Sequence, residues 1–551
     1  MDNWLKKHQQ WINDEGITAQ DKVLLKAMTP EEIKNNFYQD LEFGTAGIRG
    51  IRGLGTGRIN KYLIRAVTQG YCDYLIEKIS GAKEMGVAIA YDTRHMSEDF
   101  AFEAAKVFSG NGIKVHMYDR IRSTPELSFA IRELKTAGGL VLTASHNPPE
   151  YNGYKVYNQH GCQLSTEETS AMTNKINAIT SFADLKLDDK IENIVYINNE
   201  LEDIYIDKVK KLSINEFNKD LKIVYTPLYG VALKPIKRIF DEVGANCYLV
   251  DEQCQPNGDF PTAKKPNPEE KEALKMIIEE GYKVGGEILL ATDPDGDRLG
   301  VMVLNNEDYI YLTGNQIGAL LIDYILSNKS IINEKSYIIT SIVTSDLGEK
   351  IAGFYGVGAV RTFTGFKNLG KKMDEIFADN GKVYFVYEES IGYLAEDFIR
   401  DKDGISAAFL IAELAGVLKK DGKNLLDKLN ELYDKHGYYQ EKQISYVIPG
   451  IKGIETIKGI MKDLRDNGPG EFGAELDLDT LNDYLTKTID EENTDLLYYK
   501  FTDGSWVGVR PSGTEPKLKL YINVVGKSLI GATGKIENIE SWFKKRVESW
   551  L

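Results

Sequence analysis

The sequence predicts an α/β protein of several domains, with three βαβαβ-type units followed by a smaller C-terminal α+β domain. Three observations predict it. From about residue 87, apolar strand-like runs and helical stretches alternate and pass through the same order three times. Each pass ends, after its third strand-like run, in a polar loop: SHNPPEYNGYK (145–155), DPDGDR (293–298) and EESIGY (388–393). After about residue 436 the texture changes to hairpin signals beside helices. A chain of 551 residues is also too long for one hydrophobic core. The expected divisions are 1–205, 206–310, 311–435 and 436–551.

Each element has a local reason. At the N-terminus, Trp4, Leu5, Trp11 and Ile12 are spaced as one helical face. A second helix is expected in TPEEIKNNFYQDL, where Thr29 is the N-cap, Pro30 occupies the first turn and Glu32 closes a capping box. It leads into the glycine-rich EFGTAGIRGIRGLGTGRIN (42–60). The first pass comprises VAIAYD (87–92), a helix near 97–110, IKVHMYD (113–119), a helix from Thr124, and GLVLTAS (139–145). The second comprises LKIVYTP (221–227), a helix, ANCYLVDE (245–252), a helix from about Pro268, and EILLATD (287–293). The third runs SYIITSIVTSD, LGEKIAGFYGV, AVRTFTGF, NLGKKMDEIFADNG and KVYFVYEES, over 336–390. Alternating βα order argues for mostly parallel sheets covered by helices, with ligands at the carboxyl ends of the strands. The last domain holds KQISYVIPG, a charged helical stretch, the hairpin-like run 496–524 and an amphipathic helix ending SWFKKRVESWL.

Composition narrows the function. A formal charge of −16 disfavours nucleic acid or an acidic membrane as the main partner. Cys72, Cys162, Cys247 and Cys254 are scattered without a CxxC pair, which indicates neither a disulfide framework nor a zinc site. No segment has the apolar length of a signal peptide or a membrane span. A cytoplasmic protein acting on small molecules is expected.

The loops carry the chemistry. Ser145, His146 and Asn147 stand where a strand ends, either as ordinary turn formers or as a nucleophile presented at a cleft. In TDPDGDR, Asp293, Asp295 and Asp297 alternate in a turn between apolar runs, and Gly296 permits tight curvature. Three carboxylates so close repel one another, which a hard cation with oxygen ligands such as Mg²⁺ would offset. An EF-hand is a poor alternative, because Arg298 and Leu304 stand where its loop needs Gly and Glu. In RPSGTEP, Arg510, Ser512, Gly513 and Thr514 combine a guanidinium, hydroxyls and turn amides, the parts of a phosphate cradle. Glu388 and Ser390 suit sugar hydroxyls, and Lys367 and Arg49 supply cations; each alone reads as a surface or capping residue.

Taken together and in order, TASHNP, DPDGDR, EES and RPSGTEP resemble the catalytic, metal, sugar and phosphate loops of the α-D-phosphohexomutase superfamily, which includes phosphoglucomutases and phosphomannomutases. The resemblance covers nearly the whole chain. It implies a four-domain, phosphohexomutase-like fold around a central cleft, with three similar α/β domains and a smaller fourth. It further implies that Ser145 is the phosphoserine and that Ser145, Asp293, Asp295 and Asp297 hold Mg²⁺. The implied reaction converts glucose 1-phosphate to glucose 6-phosphate through glucose 1,6-bisphosphate, which also serves as activator. Lys155 matches the family lysine near the transferring phosphate and is expected to handle protons, with Arg49 and Arg298 adding positive charge. Adjacent residues rarely aim at one another, so His146 is expected as a supporting contact rather than a base. Lys367, Glu388, Ser390, Arg510, Ser512, Gly513 and Thr514 would bind substrate.

One departure is visible. The phosphomannomutase/phosphoglucomutase branch often has a His shortly after the sugar-loop serine, whereas here Ile391, Gly392 and Tyr393 follow. The long N-terminal stretch before FGTAGIRG resembles the branch of phosphoglucomutases and phosphopentomutases. Phosphopentomutase, phosphomannomutase or sugar-bisphosphate synthase are the alternatives. An aspartate-nucleophile phosphatase would need a hydroxyl where Asp297 stands, and a non-catalytic sensor would normally have lost Ser145 or an aspartate. A monomer or weak homo-oligomer is expected.

Overall fold

The computed structural model describes residues 2–42, 47–329, 332–448, 451–468, 476–489, 492–511 and 517–550. It falls into two compact units, Met1–Ile317 with Gly365–Asn424, and Gly318–Thr364 with Leu425–Leu551.

In the first unit, the opening sheet uses β1 (Ile48–Ile51), β2 (Val87–Tyr91), β3 (Val115–Tyr118), β4 (Gly138–Leu142), β5 (Tyr151–Asn158) and β6 (Ile194–Ile197). They lie in the order β1-β5-β4-β2-β3-β6. Strand β2 is parallel to β3 and β4, and β3 to β6. Every residue of β2 and β4 is buried, the pattern of parallel strands covered on both faces. Helices Ser97–Gly110 and Thr124–Glu133 begin where the sequence places them and pack on both strands.

The sheet is mixed, however, because β5 runs antiparallel to both β4 and β1. The loop from 143 to 150 is too short for a parallel crossover, which needs a dozen residues or more, so the chain returns as a hairpin. The second sheet repeats this device. It contains β7 (Lys222–Thr226), β8 (Asn246–Leu249), β9 (Ile288–Thr292), β10 (Leu299–Asn305) and β11 (Asp308–Leu312), ordered β11-β10-β9-β7-β8. Strand β9 is parallel to β7, but β10 folds back antiparallel on β9 and pairs Leu299 with Thr292. The same return occurs a third time where Lys382–Glu388 pairs antiparallel with Gly392–Leu394. Each of the three polar loops is therefore a hairpin tip.

The helix expected from about Pro268 begins at Lys275. Pro266 and Pro268 bias the chain away from helix, and the Asn267 side chain accepts from the Glu269 N–H at 3.2 Å. A run of turns results, with Ala273 N–H donating to Glu270 O at 3.0 Å.

At the N-terminus the capping box forms as read: Thr29 Oγ1 accepts from Glu32 N–H at 3.3 Å, and Glu32 accepts from Thr29 N–H at 2.7 Å. Trp11 packs edge-on against Phe37 and Tyr62, with Trp4, Leu5 and Ile12 at the margin of the cluster. Asn60 caps helix Lys61–Lys78, accepting from Tyr62 N–H and Leu63 N–H at 3.1 and 3.0 Å. Its amide also donates to the carbonyls of Gly53, Gly55 and Arg58, each at 3.0 Å, and so fixes the glycine-rich loop.

In the second unit, strands Ser336–Ser341 and Gly358–Thr362 are parallel, joined through helix Leu347–Phe354. An antiparallel five-stranded sheet follows from Tyr438–Val447, Leu478–Asp483, Leu497–Phe501, Trp506–Pro511 and Lys517–Gly526, with the last strand beside the first. Helices Ile451–Asn467 and Leu529–Trp550 place Leu464, Ile539 and Phe543 in its core. Partly buried Arg361 pairs with Asp346 and Glu349, while Trp506 stacks on Tyr498 at 4.9 Å. Among the described residues, no helix is long and apolar enough to cross a membrane.

Asn60→Ala removes a buried cap and strands three carbonyls, and should lower stability by about 2–4 kcal/mol, read from a guanidinium titration of the full chain.

Candidate active site

The site begins where β4 ends. Ser145 has φ 52°, the left-handed region that a non-glycine residue enters only when its surroundings hold it there. Thr143 Oγ1 accepts from Ser145 N–H at 2.8 Å. The larger restraint is Arg94, which is 3% exposed. Its guanidinium donates to the carbonyls of Ser145 at 2.6 Å, Asn147 at 2.5 Å, Pro148 at 2.8 Å and Tyr151 at 3.2 Å. Buried Asp92, at 3.4 Å, balances its charge.

The second hairpin tip places Asp293, Asp295 and Asp297 so that one carboxylate oxygen of each lies within 4.8 Å of the others, all buried. Gly296 has φ 71° at the sharpest point of the turn. Ser145 Oγ donates to Asp293 Oδ2 at 2.7 Å, which brings the hydroxyl of one tip against the carboxylates of the other. Lys155, on β5, reaches the same point: its ammonium donates to Asp295 Oδ2 at 2.5 Å and Asp297 Oδ2 at 3.2 Å. Thr124, at the start of its helix, gives its N–H to Asp295 O and its hydroxyl to Asp295 Oδ2, both at 2.9 Å.

Burial and the neighbouring carboxylates push the Asp293 carboxyl well above the usual range. Burial also pushes Asp295 and Asp297 up, and at Asp295 the Asp297 charge adds to it, but Lys155 together with a hydrogen bond to Asp293 at Asp295, and Lys155, Lys402 and Arg298 together at Asp297, bring both below the usual carboxylate range, so these two stay ionised. Lys155 shows the mirror effect: burial would lower its pKa, and Asp295 and Asp297 raise it instead. It is held as an ammonium ion. The buried Oδ1 atoms of Asp295 and Asp297 have no hydrogen-bond partner in the protein. Two orphaned anionic oxygens beside a third carboxylate are the donor set of a hard divalent cation, and the residues fit one.

Arg298 and Arg49 stand around this centre. Arg298 gives its N–H to Asp293 Oδ1 at 3.1 Å, and its side chain lies 3.5 Å from Glu269 and 3.9 Å from Asp297. Arg49 donates to Asn147 Oδ1 at 3.2 Å and feels the field of all three aspartates. His146 lies closer to its neighbour than adjacency alone suggests. Its Nδ1 lies 3.1 Å from Ser145 Oγ, because the left-handed turn brings these neighbouring side chains together. Burial, with Arg298 and Arg49, keeps its ring neutral.

The third hairpin tip carries Glu388 and Ser390. Glu388 is buried and accepts from Gly365 N–H at 2.7 Å; burial raises its pKa, opposed by Lys402. Ser390 is partly buried in the turn. Lys367 donates to Thr166 Oγ1 at 3.1 Å. In the second unit, Arg510 donates to Thr364 Oγ1 at 2.5 Å. Ser512, Gly513 and Thr514 lie outside the described residues.

Three residues at the site escape the motif reading. Lys402 lies 3.2 Å from both Asp297 and Asp401, and a Cβ on Gly392 of the sugar loop would stand 2.2 Å from its Cδ, so it packs between the acidic and sugar loops. Its signal is the charge run RDKD directly before the apolar helix Gly404–Lys420, which resembles a solvated cap. Arg94 sits in YDTR just past β2, and Thr124 is hidden inside an ordinary capping box.

Lys155→Met leaves Asp295 and Asp297 without their ammonium partner. In chelator the variant should lose about 3–5 kcal/mol of stability, and a divalent cation should recover part of that loss in the same denaturant titration.

Four family models describing phosphoglucomutase/phosphomannomutase match in order: α/β/α domain I over 40–183, domain II over 203–306, domain III over 313–436 and the C-terminal domain over 454–531. A Staphylococcus haemolyticus protein named phosphoglucomutase is 36% identical, covering 95% of this chain and 96% of its own. One from Staphylococcus aureus is 35% identical, over 90% and 91%. Among solved structures, the pp63/parafusin phosphoglucomutase of Paramecium in its open form aligns with a TM-score of 0.73 at 20% identity, covering 93% of this chain and 96% of that one.

Proposed function

The chain belongs to the phosphoglucomutase/phosphomannomutase family, and from that premise we propose that it interconverts α-D-glucose 1-phosphate and glucose 6-phosphate through a phosphorylated Ser145. The observation that carries the reading is the 2.7 Å contact between Ser145 Oγ and Asp293 within the buried aspartate cluster.

Phospho-Ser145 donates its phosphoryl group to the free hydroxyl of a bound sugar monophosphate. The resulting glucose 1,6-bisphosphate turns over, its other phosphate returns to Ser145, and the isomer is released. Such transfer depends on positioning and charge neutralisation more than on covalent chemistry by the protein. Asp293, Asp295 and Asp297, with the Ser145 oxygen, would hold Mg²⁺, which supplies Lewis-acid stabilisation of the phosphate charge when bound. Lys155 is an ammonium ion in its carboxylate cage, so it acts as a proton donor and a charge partner rather than a ready base. Arg49 and Arg298 add positive charge around the aspartate cluster. His146, neutral at 3.1 Å, orients Oγ.

Glu388 and Ser390 read sugar hydroxyls, and Lys367 supplies a cation for the substrate. Arg510, Ser512, Gly513 and Thr514 are assigned the non-reacting phosphate. A bisphosphate exposed to water would be hydrolysed, so exclusion of water is part of the mechanism. The four matched stretches support a division into domains 1–205, 206–310, 311–435 and 436–551. The scattered, free cysteines suit a cytoplasmic enzyme.

Ser145→Ala should cut interconversion by about 10⁴-fold or more while the far-UV spectrum and thermal midpoint stay near those of the parent. Dephosphorylated enzyme should stay inactive until glucose 1,6-bisphosphate is added, with one phosphate then appearing on Ser145 by peptide mass spectrometry. Full turnover without the activator would refute the relay. Parallel rates on glucose 1-phosphate, mannose 1-phosphate and ribose 1-phosphate should favour glucose; a higher kcat/KM for another sugar reassigns the substrate.

A further inference from the structure

The restraint on Ser145 does not end at Arg94. The guanidinium carbon of Arg94 lies 4.9 Å from the ring centre of Phe260, a fully buried residue from the part of the chain that also carries the acidic loop. Phe260 itself has φ 44°. Its turn is closed by the Phe260 N–H to Asn257 O bond at 3.2 Å, and Tyr229 packs against its ring at 6.5 Å. The turn 257–260 also grips the residues on either side of Arg94. A Cβ on Gly258 would stand 2.7 Å from His95 N, so the two backbones touch, and His95 Nε2 lies 2.7 Å from Asp259 Oδ1.

From Tyr229 the contacts continue to the acidic loop. Tyr229 is followed by Gly230, where a Cβ would meet Pro294 Cα at 2.5 Å, and Val231 N–H donates to Pro294 O at 3.0 Å. A continuous packed path thus runs from Pro294, between Asp293 and Asp295, through Tyr229 and Phe260 to Arg94, and from Arg94 to the four carbonyls around Ser145. It joins the two hairpin tips from behind, independently of the direct bond between Ser145 and Asp293.

We propose, resting on the mutase reading, that Phe260 and Arg94 are positioning residues for phosphoryl transfer. Phe260 covers one face of the guanidinium, and that fixed fork holds the Ser145 turn at its distance from the aspartates. The chemistry favours this pairing. A planar guanidinium can serve four carbonyls and an aromatic face at once, and a lysine ammonium cannot. A displacement of the nucleophile by about 1 Å costs transfer about a hundredfold, whereas binding of the sugar phosphate relies on other loops.

The test uses the full-length enzyme with saturating glucose 1,6-bisphosphate, comparing wild type, Arg94→Lys, Phe260→Leu and the double variant. For Arg94→Lys, kcat should fall at least about 30-fold with KM within about threefold of wild type. Phe260→Leu should lower kcat by about three- to tenfold, again with little change in KM. Because Phe260 acts through Arg94, the double variant should be no more than about twofold slower than Arg94→Lys. Each rate is scaled to the folded fraction measured by circular dichroism, so simple loss of structure does not imitate the effect. A folded Arg94→Lys with kcat within about twofold of wild type, losses that fall on KM, or losses that multiply in the double variant would each overturn the proposal. If Arg94→Lys does not fold, Phe260→Leu decides, and an unchanged kcat there overturns it. The wild-type rate in the same assay reads the mutase assignment separately.

Discussion

The structure depends on a buried charge balance. Three carboxylates converge at one hairpin tip, and water does not reach them. Such a cluster is tolerable only when positive charge is supplied from elsewhere. Lys155 supplies it from β5, Lys402 from the stretch before a buried helix, and Thr124 adds the positive end of its own helix. None of these groups is near the aspartates in sequence. The fold is in this sense a device for bringing cations to Asp295 and Asp297 while leaving one oxygen of each open.

The repeated hairpin explains how one architecture produces different chemistry. In each pass, buried strands carry the chain to the carboxyl edge of a sheet, and a short loop then forces an antiparallel return. The return strand is what places Lys155 beside the loop it follows, since β5 pairs directly with β4. It also makes the acidic tip rigid, with Leu299 paired to Thr292 on either side of Asp293 to Arg298. The loops differ in sequence, but their anchoring is the same.

Much of this was legible in the residues. Continuous apolar runs such as VAIAY and ILLAT read as buried strands because burial on both faces removes alternation. Thr29 and Glu32 announced a capping box because that interaction is local. Ser145 and the three aspartates stood out because their residue types are concentrated in short loops. What could not be read depends on distance in the chain. Arg94 and Lys402 are single basic residues in ordinary polar turns, and only folding shows that one serves four carbonyls and the other a distant carboxylate. The late start of the helix at Lys275 was missed because Asn267 and two prolines favour turns over an otherwise helical composition. The approach of His146 to Ser145 depends on a left-handed φ that no residue type announces.

Both compact units are discontinuous in the chain, since Gly365–Asn424 returns to the first after Gly318–Thr364 has entered the second. This has a consequence for biosynthesis. Domains generally fold as units as the nascent chain emerges, but here Lys402 leaves the ribosome more than a hundred residues after Asp297. During that interval the acidic tip has Lys155 as its lysine neighbour, so a half-made polypeptide must tolerate an electrostatic debt that the finished enzyme never shows.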